Sequence, residues 1–265
     1  MSVLDPISHL LAAVLAMSHT WLTSLGADPG SGTTWVLCVA TLVVIVRLAL
    51  LPLVVHGVRQ THAAARARPQ LTDLTRRYRN RKDADAMRSF RNERRRIAAE
   101  HNMSRLSLLP VLIQLPIWVA LYHLLSNVAA GVAVGAVTPH LVASLGAATL
   151  LGLPLAERGY LGGDWPHLAV VGGLAVVAAV LASATQKLLI GPNTVLTDVP
   201  DVISRTHQMM PALSAAGLLV AGGAVPVALL VYWVCNSIWT LGQSAVIWRW
   251  FPTPGSPAAN RASSR

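Results

Sequence analysis

Arg47 is the one fully charged residue in the run Trp35–Val55, WVLCVATLVVIVRLALLPLVV, whose only other polar member is Thr41. An ionised group there costs about 2.5–3.5 kcal/mol on insertion scales and about 10–17 kcal/mol in simulations of an isolated helix, so something polar must meet it. One reading lets its methylenes lie in lipid while the head reaches the nearer interface. The other keeps the cation inside a bundle, where it attracts an anionic group. Asn236, Thr240 and Gln243 follow i, i+4, i+7 spacing and so share one helix face, in company with Tyr232, Trp233 and Trp239. Gln114 interrupts LSLLPVLIQLPIWVALYHLL, and Gln186 stands between Thr185 and Lys187 at the end of a third apolar run. Such residues bind by charge attraction and hydrogen bonding. No nucleotide-binding loop, metal cluster or nucleophile–base pair accompanies them, and the nine histidines are scattered without ligand spacing. No enzyme activity, cofactor or metal is expected.

The elements that must position these residues are membrane spans. As a helix at about 1.5 Å per residue, Trp35–Val55 crosses a bilayer core of about 30 Å. The chain is 54% hydrophobic and 12% charged with a mean hydropathy of +0.53, which predicts one all-α multi-span bundle. Its net charge of +10 is uneven: residues 1–46 hold no Lys or Arg, and residues 56–105 hold 14 of the 21. The positive-inside rule then puts the amino terminus outside and the basic segment, with the carboxyl terminus, in the cytoplasm. Cys38 and Cys235 fall inside apolar runs and read as packing residues.

In chain order, residues 1–33 read as an outer interfacial helix anchored by Trp21 and a turn at 28–32, and residues 34–56 as the first span. Residues 57–105 read as a basic helical hairpin with thin apolar stripes, Leu71, Leu74 and Tyr78, then Phe90 and Ile97. Pro69 is expected in a first helical turn, Asp83 as an N-cap, and Asn102 as a left-handed helix end. Arg76, Arg77, Arg79, Arg94, Arg95 and Arg96 are its candidate contacts with anionic lipid head groups or with structured RNA such as a ribosome. Residues 106–126 form a second span carrying Pro110 and Pro116, and 127–166 an outer connection of interfacial helices. In it, Gly131 and Gly135 have the spacing of a helix-packing pair, and 162–166 reads as a turn. A third span covers 167–189 and a cytoplasmic loop 190–207. Residues 208–247 hold a fourth span, short at 209–224 and accommodated by local thinning, and a fifth; a tail follows at 248–265.

The Arg-containing first span, the basic hairpin, SLLPVLIQLPIWVALYHLL at 107–125 and MMPALSAAGLLVAGGAVPVALLVYWVCNSIWTLGQSAVI at 209–247 resemble the YidC/Oxa/Alb membrane-protein insertase family, over most of residues 34–249. The resemblance is to the compact five-span bacterial form, in the cell membrane. It implies a hydrophilic groove, open to cytoplasm and lipid and closed to the outside, that receives the hydrophilic tail of a nascent membrane protein. Arg47 matches the family's groove arginine, and Gln114 and Gln186 match polar positions of the second and third spans. Trp233, Asn236, Thr240 and Gln243 would join them from the fifth. The implied partners are nascent membrane proteins, with the ribosome and the Sec translocon as candidates, and no small-molecule substrate. The chain departs from the family at 224–228, where Ala-Val-Pro-Val-Ala replaces Asn-Phe-Pro-Ala-Gly. A different class, a small-molecule or ion transporter with an intramembrane polar site, lacks the internal repeats such proteins show. A membrane-anchored adaptor for RNA or lipid leaves Arg47 and the polar face at 236–243 unexplained.

Overall fold

The computed structural model describes residues 5–80, 83–103, 109–160, 164–195 and 201–263. The expectations that fall on Arg81 and Lys82, on 104–108, on Gly162 and Gly163, on 196–200 and on 264–265 lie outside them. The helices are α1 (Asp5–Ser24), α2 (Gly32–Ala49), α3 (Leu51–Tyr78), α4 (Ala84–Glu100), α5 (Leu109–Ala129), α6 (Pro139–Ala147), α7 (Trp165–Ala184), α8 (Asp201–Gly222), α9 (Val227–Trp250) and α10 (Pro257–Ser263). Among the described residues three helices are long and apolar enough to cross a membrane: Gly32–Ala49, Leu112–Ala129, and Trp165–Asn193, which is α7 with its continuation. α8 and α9, of 22 and 24 residues, are long enough but carry more polar side chains.

The first apolar run is not one helix to Val55. α2 closes at Ala49, and Leu50 joins it to α3 with φ −86° and ψ −3°. Pro52 is the cause, because it lacks the N–H that would continue the ladder and its ring clashes with the preceding turn. The first arm of the hairpin therefore starts at Leu51, inside the predicted span, and Pro69 lies in the interior of α3 rather than in a first turn. Pro69 is exposed, so water can serve the carbonyl that its missing N–H leaves free.

The hairpin itself follows its pattern. Asp83 caps α4 by accepting the Ala86 N–H at 3.1 Å. Asn102 takes φ 53°, and the Met103 and Asn102 amides bond back to Ala98 O and Ala99 O at 2.8 and 3.0 Å, satisfying carbonyls of the last turn. Ala67, Leu74 and Ile97 form its small core, with Leu71, Tyr78, Phe90 and Met103 against it.

The connection from α5 to α7 is less helical than predicted. It holds one helix, α6, and a two-stranded antiparallel hairpin, β1 (Thr149–Leu150) with β2 (Leu153–Pro154). Gly131 and Gly135 sit in turns with φ 83° and 54°, so they pack no helix pair; their work is conformational. This connection caps α9. Pro226 offers α9 no side-chain cap, and the Val227 and Ala228 amides instead donate to Glu157 O and Leu155 O, both at 2.9 Å. Arg158 donates to Ser126 O at 2.8 Å and Tyr160 to Leu219 O at 2.5 Å, tying α5 and α8 to the same loop. Partial burial pushes the Tyr160 phenol above its ordinary range.

Residues Val227–Trp233 of α9 are all buried, so this stretch is the axis of the main core. α9 packs on α2, α5 and α7; α8 packs chiefly on α7, and α1 on α2 and α5. α8 begins at Asp201, so the apolar run from Met209 is preceded in the same helix by the polar stretch 201–208. The tail folds back and includes α10, with Thr253, Ser256 and Ala258 buried.

Candidate functional site

Arg47 lies in the last turn of α2, where a cation also favours the negative end of the helix dipole. Its side chain turns across to α9. Nε and Nη2 donate to Asn236 Oδ1 at 3.1 and 2.6 Å, and Nη2 also donates to Thr240 Oγ1 at 3.1 Å. The i, i+4 spacing presents both acceptors to one guanidinium. Thr240 in turn donates to Asn236 O at 2.8 Å, which fixes its hydroxyl.

These partners are neutral. The chain's eleven carboxylates all lie outside α2, α5, α7 and α9, so no acid inside those helices cancels the charge. Among the described residues Arg47 is hydrogen-bonded but makes no salt bridge. A cation so placed attracts an anion more strongly than it would in water, because the local dielectric is lower.

Beside this cluster lies a cavity of about 490 Å³. Asn236, Thr240, Trp233 and Ser237 of α9 form one wall; Thr185 and Gln186, Ser214 of α8 and Trp118 of α5 form the others. No lining residue is charged. Gln186 is the second residue of a six-residue π-helical turn, Thr185–Ile190, that continues α7; such turns recur at functional sites. Its Nε2 donates to Ser214 Oγ at 2.8 Å, while its Oε1 is buried without a hydrogen-bond partner among the described residues.

Of the residues singled out from the sequence, Arg47, Asn236 and Thr240 meet directly, and Gln186 and Trp233 line the same cavity as Asn236 and Thr240. Gln243 shares their helix but not the cavity; its Oε1 accepts from Trp239 Nε1 at 3.1 Å. Gln114 is half-buried on α5, and Trp118, one turn later, is the α5 residue that reaches the cavity. Ser214, Ser237 and Thr185 were not anticipated. On the hairpin, Arg76 pairs loosely with Asp73 (3.7 Å), Arg77 with Glu93 (4.0 Å), and Arg96 with Glu93 and Glu100 (3.9 and 3.4 Å). Exposed pairs of this kind contribute about 0–1 kcal/mol. Arg79, Arg94 and Arg95 are exposed, with no salt bridge among the described residues.

Comparison with known proteins bears on the same stretch. The profile of the family described as 60Kd inner membrane protein matches residues 27–254. A protein of Streptomyces avermitilis named membrane protein insertase YidC is 32% identical over 246 residues, covering 88% of this chain and 55% of that protein. Proteins of the same name from Tropheryma whipplei strain Twist and Bifidobacterium longum are 25% and 23% identical, covering 97% of this chain and 87% and 78% of theirs. The chain thus spans about half the length of the Streptomyces relative.

Proposed function

The chain belongs to the 60Kd inner membrane protein family, and on that footing we propose that it is a membrane-protein insertase: it takes the hydrophilic tail of a nascent membrane protein into the cavity beside Arg47 and releases the substrate's apolar segment into lipid. The observation that carries this reading is the Arg47 guanidinium, bonded among the described residues to the neutral Asn236 and Thr240, beside a cavity among bundle helices into which Thr185, Gln186, Ser214 and Ser237 set polar groups on a mainly apolar wall.

The work is physical. A polar tail crossing hydrocarbon loses its hydration at a cost of several kcal/mol per group, about 2–7 for an unpaired amide or hydroxyl. A wet cavity partway across shortens the dry distance. Arg47 attracts an acidic tail, and the substrate's apolar helix supplies the drive by its own transfer into lipid. No catalytic step is assigned.

In this reading α8 and α9 join α2, α5 and α7 as spans, five in all, with the amino terminus outside and the hairpin and tail in the cytoplasm of a bacterial cell. The cavity serves as a groove open to cytoplasm and lipid. Nascent membrane proteins are the substrates, and the ribosome, the Sec translocon and anionic lipid are the partners of the hairpin arginines.

The test is insertion of a single-span substrate with an acidic outer tail into proteoliposomes. Arg47→Ala is expected to fail, Arg47→Lys to insert, and neutralising the tail to relieve the defect. Equal insertion by all three proteins removes the electrostatic step. Insertion by none, wild type included, removes the insertase reading.

A further inference from the structure

The β1–β2 hairpin turns through two residues, Leu151 and Gly152, both left-handed, with φ 53° and 84°. Such a turn suits Asn-Gly, because most side chains crowd a left-handed backbone. Here the first position holds leucine. At 82% exposed it is also the most exposed large apolar residue among the described ones. Left in water, Leu151 is unfavourable twice over, in its backbone conformation and in its bare side chain. The base of the hairpin, by contrast, is fixed. Leu150 and Leu153 pack against the main core, and Thr149 O lies 1.9 Å from where a Cβ on Gly32 of α2 would stand. Directly beyond β2 come Leu155 and Glu157, whose carbonyls accept from the Ala228 and Val227 amides at the start of α9. The tip thus projects from the stretch that caps α9.

We propose that Leu151 is a lipid anchor: the tip of the hairpin enters the acyl region of the outer leaflet and so holds the cap over α9 in place. This rests on the outer placement of the connection given above, and on no step of insertion. Three observations name lipid as the occupant. Residues 127–156 contain no Asp, Glu, Lys or Arg, and neither do residues 6–27, whereas segments that face water carry such residues. α1 belongs to the same outer layer, because Pro29 O lies 3.0 Å from His19 Nε2 of α1 and accepts from Ser144 Oγ of α6 at 2.7 Å. It exposes an apolar stripe of its own, Leu10, Met17 and Trp21 at i, i+7, i+11, and tryptophan favours the membrane–water boundary. The tip, finally, is flanked by Leu150, Leu153 and Pro154 and so lacks the polar rim with which protein partners surround an apolar contact. In lipid the side chain is covered, and its burial offsets the unfavourable backbone that a hairpin in water would avoid.

The test uses the full chain in a Cys38→Ala, Cys235→Ala background, one protein per nanodisc of zwitterionic lipid. An environment-sensitive NBD fluorophore on Leu151→Cys is compared with one on Asn92→Cys, exposed on α4. The Leu151 probe is expected to emit to the blue of the Asn92 probe and to be quenched by nitroxides on the lipid acyl chains but not by iodide in the water; the Asn92 probe is expected to show the reverse. A Leu151 probe quenched by iodide alone stands in water and overturns the anchor. One quenched by neither is covered by protein, which overturns lipid as the occupant. Unlabelled variants check that the leucine itself matters. Asparagine suits the turn, so Leu151→Asn is expected to keep the wild-type helix content but, in nanodiscs, to lose hydrogen-exchange protection at the Val227 and Ala228 amides, while Leu151→Met keeps it. Wild-type protection in Leu151→Asn overturns the link from the tip to the cap. Should Leu151→Asn misfold, the quenching series still decides whether the tip lies in lipid. No measurement here needs a substrate, so these results and a failed insertion assay overturn different readings.

Discussion

At the scale of residues, the site is built on a charge that has acceptors but, among the described residues, no salt-bridge partner. The choice of Asn at 236 matters because Asp would pair with Arg47 in the same geometry. Arg47 already makes charge-assisted hydrogen bonds to Asn236, and Asp would add the attraction of an opposite charge at the same distance, which a low local dielectric strengthens. Asn236→Asp is therefore expected to raise the midpoint of thermal unfolding in detergent while cutting insertion of acidic-tailed substrates, because the cation is then neutralised. A variant that is stabilised but inserts such substrates at full rate would show that free charge on Arg47 is not needed. Gln186 presents the opposite imbalance, a buried Oε1 with no partner among the described residues. An unmet buried acceptor costs about 1–3 kcal/mol, so Gln186→Met, close in volume, is expected to leave stability equal or higher and to impair insertion of polar tails. A marked loss of stability would mean that the carbonyl is satisfied in the folded protein. The sequence announces Arg47, Asn236 and Thr240 because a charge in an apolar run and a polar i, i+4 pair are rare patterns. Ser214 and Ser237 carry no such signal, since a lone serine is common in an apolar helix. Gln243 lies one turn beyond the residues that line the cavity, and Trp239, one turn earlier, donates to its carbonyl.

At the scale of elements, periodic stretches were legible and punctuated ones were not. The hairpin's stripe, its Asp83 cap and its Asn102 ending are local rules that the folded chain obeys. The break at Leu50 was missed because hydropathy runs unbroken through Pro52, and the β1–β2 hairpin because its strands are two residues each. No local rule could reveal that the Leu155 and Glu157 carbonyls cap α9, seventy residues away in sequence. That connection also fixes where α2 begins. A Cβ on Gly32 would lie 1.9 Å from Thr149 O, whereas one on Gly146, exposed within α6, would meet nothing within 4 Å. Gly32→Ala is expected to destabilise the protein by about 1–3 kcal/mol, the usual range for overpacking, or more because the obstacle is backbone. Gly146→Ala is expected to stabilise α6 by about 0.5–1 kcal/mol. Thermal unfolding of the two variants side by side checks both signs, and a tolerated Gly32→Ala would mean that β1 is not seated on α2.

At the scale of the whole molecule, the bundle is tight at one end and loose at the other. Burial on α2 runs from Gly32 to Val43 and stops before Arg47; on α5 it covers Ala120 to Val128, and on α9 it is continuous only over Val227–Trp233. All three stretches lie at the end that bears the α5–α7 connection, where the loop 155–160 closes over α9. Towards the hairpin end the same helices part around the cavity beside Arg47 and around another of about 350 Å³ lined by Thr61, Asn193, Ser244 and Thr253, which the tail and the π-helical turn wall without filling. In the function proposed above, such a taper gives a polar segment access from the hairpin side while apolar packing bars water from the other. Thiol labelling measures it directly. In a Cys38→Ala, Cys235→Ala background, Ser237→Cys in the first cavity is expected to react with a membrane-impermeant maleimide added on the hairpin side of sealed vesicles and to stay unreactive from the opposite side. Val231→Cys, 4% exposed within the tight end, is expected to react from neither. Labelling of Ser237→Cys from the connection side would mean that the cap over α9 leaks, and a protein open at both ends would let water and ions through the membrane with every substrate it admits.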